Sequence, residues 1–111
     1  MVCYTAITKY QRVGPRKARL AAKLIRGMEV ESALFQLKNS GLKAGRLLTG
    51  TLQSAIANAE FLGDARREEL VVKEVRVDEG PRLKRSKPRS KGSQHPYMKR
   101  MSHFTVVVTT V

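Results

Sequence analysis

The sequence predicts an α+β fold with three helical segments, three strand segments and a long antiparallel ribbon between the last two strands. Apolar residues recur at helical spacing between residues 15 and 62, whereas VVKEVRV and FTVVVTTV read as strands. Between those two runs lies GPRLKRSKPRSKGSQHPYMKRM, residues 80–101, with eight Lys and Arg and no Asp or Glu. So few apolar side chains cannot offset the roughly 1–2 kcal/mol of backbone entropy lost per ordered residue, and the like charges repel. A partner dense in negative charge has to supply what the stretch lacks. Its strand-like flanks make it the tip of a ribbon.

Val2 to Tyr10 alternates, with Val2, Tyr4, Ala6 and Thr8 on one side of a first strand and Cys3, Thr5, Ile7 and Lys9 on the other. Gly14-Pro15 then breaks the strand and starts a helix over Pro15 to Arg26, proline being well placed in a first turn. In helical projection Leu20, Ala21, Leu24, Ile25 and Met28 share the packing side, and Arg16, Arg19, Lys23 and Arg26 crowd the other. Lys17 leans to the packed side in the first turn, from which its ammonium reaches water. Cations at the positive end of a helix dipole are unfavourable by a few tenths of a kcal/mol each, so their presence suggests use elsewhere, whereas a merely solvated face would normally have opposite charges mixed in. Gly27 is the expected left-handed cap.

A short helix follows over Glu31 to Lys38, with Val30, Ala33, Leu34 and Leu37 inward, and Asn39-Ser40-Gly41 ends it. The longest helix runs from about Leu42 to Phe61, with Leu48, Leu52, Ala55, Ala59 and Leu62 as its inward stripe, supported by Ile56. Gly45 and Gly50 each cost it about 1 kcal/mol relative to Ala, so packing has to stabilise it. Small side chains from Ser54 to Glu60 permit close approach by another helix, the sheet or a nucleic-acid backbone, with Asn58 and Glu60 hydrogen-bonding at the edge. Leu70 to Glu79 is the second strand, in which Leu70 and Val72 are out of phase with Val75 and Val77; a bulge or burial on both faces is required. Ser102 to Val111 is the third, with Phe104, Val106 and Val108 inward. Gly80-Pro81 marks where pairing weakens or twists. Pro88, Gly92 and Pro96 place the tip near residues 88–96 and argue against regular ladder pairing there. Strands of about 15 residues at ~3.3 Å each would carry the ribbon about 50 Å, beyond a compact body of this size.

At 111 residues the chain has room for one modest core, and its net charge is +13. Residues 1–28 hold seven basic and no acidic residues, residues 29–79 seven basic and nine acidic, and residues 80–111 eight basic and none acidic. A near-neutral middle with basic ends reads as a packed body presenting cationic surfaces to polyphosphate. The single cysteine, Cys3, excludes an internal disulfide and any multi-cysteine metal site, and is expected to be buried or half-buried. No apolar run reaches signal-peptide or bilayer length, so a soluble chain in a reducing, cytosol-like compartment is expected. Catalysis finds no footing. Asp78 and Glu79 are adjacent and point to opposite faces of a strand, and His95 and His103 lack partners at ligand spacing. Ser86, Ser90 and Ser93 have no candidate base but His95, and neither a P-loop nor a Gly-x-Gly-x-x-Gly after a strand is present. Neither enzyme activity nor a cofactor or metal is expected.

Taken together and in order, PRKARLAAKLIRG, SAIANAE, VDEGPRLKR, PRSKG and KRMSHFTVVV closely resemble the family of bacterial-type large-subunit ribosomal protein number twenty-two over nearly the whole chain. The resemblance implies three helices packed on a small three-stranded antiparallel sheet with a long protruding β-hairpin arm. It implies one domain over 1–111, with a globular body of 1–79 and 102–111 and an extended basic arm of 80–101. It further implies a structural constituent of the large ribosomal subunit that binds large-subunit rRNA, aids assembly and lines the nascent-peptide exit tunnel with its arm. The partners would be large-subunit (23S-type) rRNA, neighbouring large-subunit ribosomal proteins and the nascent peptide, on a cytoplasmic or organellar ribosome, with no homo-oligomer, membrane or cofactor.

Carried over by position, Arg16, Lys17, Arg19, Lys23 and Arg26 would face rRNA from the first helix. Arg82, Lys84, Arg85, Lys87, Arg89, Lys91, Lys99 and Arg100 would do so from the arm, and Leu83, Arg85, Pro88, Arg89, Lys91 and Gly92 would line the tunnel. The tip departs from the family pattern: Ser93-Gln94-His95-Pro96-Tyr97 stands where many relatives continue with Arg and further basic residues, and Phe104 replaces the usual aliphatic. Fewer phosphate contacts are implied there. Tyr97 either stacks on a base or packs against the opposite arm strand. On the residues alone, a DNA-bending architectural protein with basic β-ribbon arms is the alternative, and it needs a two-fold dimer interface. A membrane-surface peptide is disfavoured because the basic helix's apolar face is needed for the core.

Overall fold

The computed structural model describes residues 2–110. Its elements are β1 (Cys3–Gln11), α1 (Pro15–Ile25), α2 (Val30–Asn39), α3 (Lys43–Gly63), β2 (Leu70–Pro88) and β3 (Gln94–Thr110). The strands form one antiparallel sheet in the order β1-β3-β2, and the three helices pack against it, giving the expected α+β architecture. Val111, placed by the sequence at the end of the third strand, lies outside the described residues.

The period-two pattern of the strands decides which face the helices cover. Tyr4, Ala6 and Thr8 pair with Val108, Val106 and Phe104, which pair in turn with Val72, Val75 and Val77. Against these rungs lie Ala18, Ala21, Ala22 and Ile25 of α1, Val30, Ala33 and Leu37 of α2, and Leu48, Leu52, Ala55, Ile56 and Ala59 of α3. The phase conflict within β2 is resolved by a bulge: a register shift between Val72 and Glu74 turns both halves of the strand to the core. The small residues of α3 let it approach the sheet. Asn58 Nδ2 donates to Thr5 O at 3.0 Å, and a Cβ on Gly63 would overlap the Tyr4 ring.

Three expectations about burial are corrected. The packed face of α1 lies about a quarter of a turn from the projected one: its alanines and Ile25 pack, while Leu20 and Leu24 are 61% and 44% exposed. Alanines let the helix sit close, and this orientation also brings Arg19 and Arg26 to β2. Leu62, projected as the end of the α3 stripe, is exposed because the turn at Gly63 is already filled by Tyr4. Cys3 is exposed rather than half-buried, on the sheet face the helices leave uncovered, where Lys73 Nζ donates to its Sγ at 3.5 Å.

As an edge strand, β2 would offer unpaired backbone groups to other chains. The α1–α2 connection closes that edge. Gly27 N–H donates to Val72 O at 3.0 Å, Val72 N–H donates to Met28 O at 2.8 Å, and Gly27 takes the left-handed conformation, φ +79, that the sequence assigns it. Further along, Arg26 Nε and Nη2 donate to Val75 O at 3.3 and 2.8 Å, and Arg19 Nε and Nη2 donate to Val77 O at 3.3 and 3.1 Å.

Beyond Glu79 the two long strands leave the body as a ribbon. A second register shift falls between Glu79 and Arg82, and a Cβ on Gly80 would lie 3.1 Å from the Met101 carbonyl, so glycine lets the strands close there. Pairing then continues to Pro88 and Gln94, which corrects the expectation that the prolines interrupt it. Arg89 N–H donates to Ser93 O at 2.7 Å. By alternation the 88/94 and 86/96 rungs are non-hydrogen-bonded, where a proline nitrogen faces outward and costs no ladder bond. Ser90–Gly92 turns the chain, with Lys91 and Gly92 left-handed at φ 59 and 73. The molecule measures 63 × 25 × 16 Å, with a radius of gyration of 16.9 Å against about 13 Å for a compact chain of this length.

Candidate nucleic-acid interface

Directly opposed residues of a two-stranded ribbon share a face. One face of the arm carries Arg82, Lys84, Ser86 and Pro88 opposite Arg100, Met98, Pro96 and Gln94; the other carries Leu83, Arg85 and Lys87 opposite Lys99, Tyr97 and His95. Both faces are therefore cationic, and at the root two arginines oppose each other, an arrangement that destabilises the ribbon by itself. Among the described residues the one carboxylate that meets the arm's cations is Glu79, whose Oε1 lies 3.4 Å from Arg82 Nη2 in an exposed pair worth well under about 1 kcal/mol. Between Arg82 and Arg100 only Leu83 and Tyr97 are even half-buried. Lys87 Nζ sits 5.2 Å from the Tyr97 ring centroid, so in the free chain the ring packs across the ribbon. Arg89, Lys91, Pro88 and Gly92 form the exposed tip.

On α1 the five sequence-derived cations divide by use. Arg16 and Lys23 are exposed and meet no partner among the described residues. Arg19 and Arg26 are tied to β2 carbonyls and keep part of each guanidinium for other acceptors. Lys17 turns towards a cleft of about 410 Å³, where it is joined by Arg12, Lys43, Lys99 and Arg100 around walls of Val13, Gly14, Leu20, Leu42 and Ala44. Lys43 Nζ donates to Arg12 O at 2.8 Å and Ser102 Oγ to Val13 O at 2.6 Å, which brace the cleft's sides. A neighbouring depression shares Gly14, Lys17 and Arg100 and adds Arg16 and Met98.

Sequence reasoning did not single out Arg12 or Lys43. Each is a lone cation in a turn or helix start, and only the tertiary fold sets them beside the arm. One signal was available for Lys43: like Arg16 and Lys17, it stands in a helix first turn that holds no acidic residue.

No group of three or more His, Cys, Asp or Glu among the described residues is placed to hold a metal. His103 is a strand residue, its Nδ1 accepting from Tyr10 N–H at 3.1 Å and its ring meeting Tyr10 edge-on at 5.1 Å. Asp78 and Glu79 pair with successive positions of β3, His103 and Ser102, and so face opposite ways. No described helix is long and apolar enough to cross a membrane. What the surface offers chemically is a set of fixed cations spread over an extended shape.

Comparison with known proteins gives that surface its context. Residues 6–109 match the family model described as ribosomal protein L22p/L17e. The chain is 63% identical over 106 residues to the large ribosomal subunit protein uL22 of Protochlamydia amoebophila (strain UWE25), covering 96% of each chain. It is 54% identical over 105 residues to the uL22 of Chlamydia pneumoniae and 53% identical over 105 residues to that of Chlamydia abortus (strain DSM 27085 / S26/3), covering 95% of both chains in each case. The family expected from the helix, arm and strand motifs is the one matched, and it is matched across body and ribbon alike. The chain belongs to the ribosomal protein L22p/L17e family.

Proposed function

We propose that this chain is a structural constituent of the large ribosomal subunit, anchored there by binding the subunit's rRNA and aiding its assembly. Family membership makes it a structural protein rather than an enzyme. The observation that carries the RNA-binding part is the ribbon: eight Lys and Arg and no carboxylate over residues 80–101, three on each face of the paired strands and two at the tip. A ribbon cationic on one face would suit a surface; one cationic on both suits a channel between RNA segments, where phosphates relieve the opposed charges of Arg82 and Arg100.

In this reading the chain is one domain whose body, 1–79 and 102–111, sits on rRNA through Arg16, Lys17 and Lys23, with the outward N–H groups of Arg19 and Arg26 contributing. The arm, 80–101, reaches inward through Arg82, Lys84, Arg85, Lys87, Arg89, Lys91, Lys99 and Arg100. Leu83, Arg85, Pro88, Arg89, Lys91 and Gly92 line the nascent-peptide tunnel, and neighbouring large-subunit proteins and the nascent peptide are further partners on a cytoplasmic ribosome. The uncharged stretch from Gly92 to Met98 suits a wall that a peptide slides past better than one that grips phosphate.

The test is the salt dependence of binding to large-subunit rRNA. Log affinity should fall by about 0.7–0.9 per phosphate contact per decade of salt. Replacing Lys84, Arg85 and Lys87 together with Ala should lower that slope while the circular-dichroism signal of the body persists. A nearly salt-independent affinity for the wild-type chain would overturn RNA binding through these cations. Tunnel lining has its own test: deletions around Leu83 to Arg85 should change nascent-chain stalling, and unchanged behaviour of ribosomes that carry the altered protein would sink it.

A further inference from the structure

We propose that the cleft at the root of the arm takes one unstacked nucleotide, its base against Leu20 and Leu42 and its phosphates among Arg12, Lys17, Lys43, Lys99 and Arg100. This deepens the rRNA-binding reading and rests on it. The cleft's volume of about 410 Å³ falls within the roughly 300–1,000 Å³ of small-ligand pockets. Five cations and no carboxylate line it. Its apolar side is left to solvent, Leu20 at 61% and Leu42 at 37% exposure, although the helical projection sends Leu20 to a core. Two helix starts also converge on it. Gly14 before α1 and Leu42 before α3 have no side chain able to accept a bond from first-turn amides, and both first turns bear cations and no acid.

Each of these features is unfavourable in the free chain: like charges gathered together, apolar surface in water, and cations at positive helix ends. A ligand with a flat apolar ring and attached phosphates reverses all three at once. The cleft needs little rearrangement to receive it, because the bonds from Lys43 to Arg12 O and from Ser102 to Val13 O already hold its sides. An acidic peptide would meet the same cations, but the track favours a polyphosphate chain. Lys99 and Arg100 are ribbon residues, and beyond Lys17 the surface continues to Arg16 and Met98. Nucleic acid carries a phosphate at every step along such a path.

The experiment uses the full chain bound to a large-subunit rRNA transcript substituted with 4-thiouridine or 6-thioguanosine, irradiated and analysed by mass spectrometry. Crosslinks from one unpaired nucleotide should fall on the Val13–Leu20 and Leu42–Ala44 segments. In parallel, Leu20→Gln with Leu42→Gln should bind the transcript about tenfold more weakly with an unchanged salt slope, since the phosphate contacts remain. Both leucines are exposed, so the variant should keep the wild-type circular-dichroism spectrum, and the crosslinking stands without it. Wild-type affinity in the double variant together with crosslinks absent from the cleft would overturn the proposal. Crosslinking of assembled subunits that joins these segments to an acidic protein instead would also overturn it. If the wild-type chain itself shows no salt-dependent affinity for the transcript, the rRNA-binding reading fails first and takes the cleft with it, so the two failures are told apart.

Discussion

Arg19 and Arg26, expected from the sequence to face RNA, also cap the open edge of β2 in the fold, and removing them should lower stability. Each guanidinium places two donors on one carbonyl, Val77 O for Arg19 and Val75 O for Arg26. Net contributions of such bonds run near 1 kcal/mol, and removing the guanidinium that covers each carbonyl opens this edge to water, so no full penalty for an orphaned acceptor is due; about 1 kcal/mol per arginine is expected. Arg19→Ala with Arg26→Ala should therefore cost about 2 kcal/mol, which for a chain of this length is a fall of about 8 °C in Tm. The control is Arg16→Ala with Lys23→Ala, whose exposed side chains make no hydrogen bond or ion pair among the described residues; it should stay within about 0.5 kcal/mol of wild type. Thermal melts followed by circular dichroism measure both pairs, and rRNA titrations of the same proteins compare their salt slopes. Light scattering adds a second readout, because an uncapped edge strand is prone to pair with another copy. Equal Tm values for the two pairs would refute the division of α1's cations into structural and outward-facing ones.

Three further outcomes follow from packing. Gly80→Val sets a branched side chain against the Met101 backbone at the root of the arm, and should cost about 1–2 kcal/mol by thermal melt; an unchanged melt would mean that the two strands separate there freely. Gly63→Ala forces the Tyr4 ring away from the end of α3, again for about 1–2 kcal/mol, and a double-mutant cycle with Tyr4→Ala should show the two changes to be non-additive. Phe104→Ala empties a fully buried site on the central strand, and its cost of about 3–5 kcal/mol takes a large share of a typical stability of about 5–15 kcal/mol, so its urea midpoint should drop sharply.

The strands were legible because their faces differ chemically. Alternation put Tyr4, Ala6 and Thr8 together, the phase reversal between Val72 and Val75 left a bulge or burial on both faces as the alternatives, and Gly80-Pro81 marked the second irregularity. Helix α1 was not, because a projection weighs Leu20 and Leu24 above the alanines, whereas close packing selects the small residues and the two arginine forks fix the rotation. Pro96 misled for a related reason: proline forbids a donated bond, but half the rungs of an antiparallel pair ask for none. The arm as a cationic surface was plain from composition. The cleft was not, since Arg12, Lys17, Lys43 and the pair Lys99 and Arg100 come from separate stretches of chain, and no local pattern joins them.

The fold also decides which part of the +13 charge is left for a partner. Part of the basic content is engaged within the chain: Arg19 and Arg26 on backbone carbonyls, Arg67 on Glu60 and Arg76 on Glu74, while Lys43 holds Arg12 O and still lines the cleft. The carboxylates lie in residues 29–79, and among the described residues only Glu79 reaches the arm. Net charge therefore understates the asymmetry. The cations left over are not scattered. Lys99 and Arg100 belong at once to the ribbon and to the cleft, and Arg16 and Lys17 adjoin Met98 and Arg100 across the neighbouring depression. The arm, the cleft and the start of α1 thus form one unbroken basic surface, and an RNA that follows the ribbon to its root meets the body without crossing a neutral gap. Opposed arginines at that root destabilise the ribbon by themselves, and a phosphate laid against the face they share would make the same pair favourable, which is how the proposed RNA partner would favour the ordered arm.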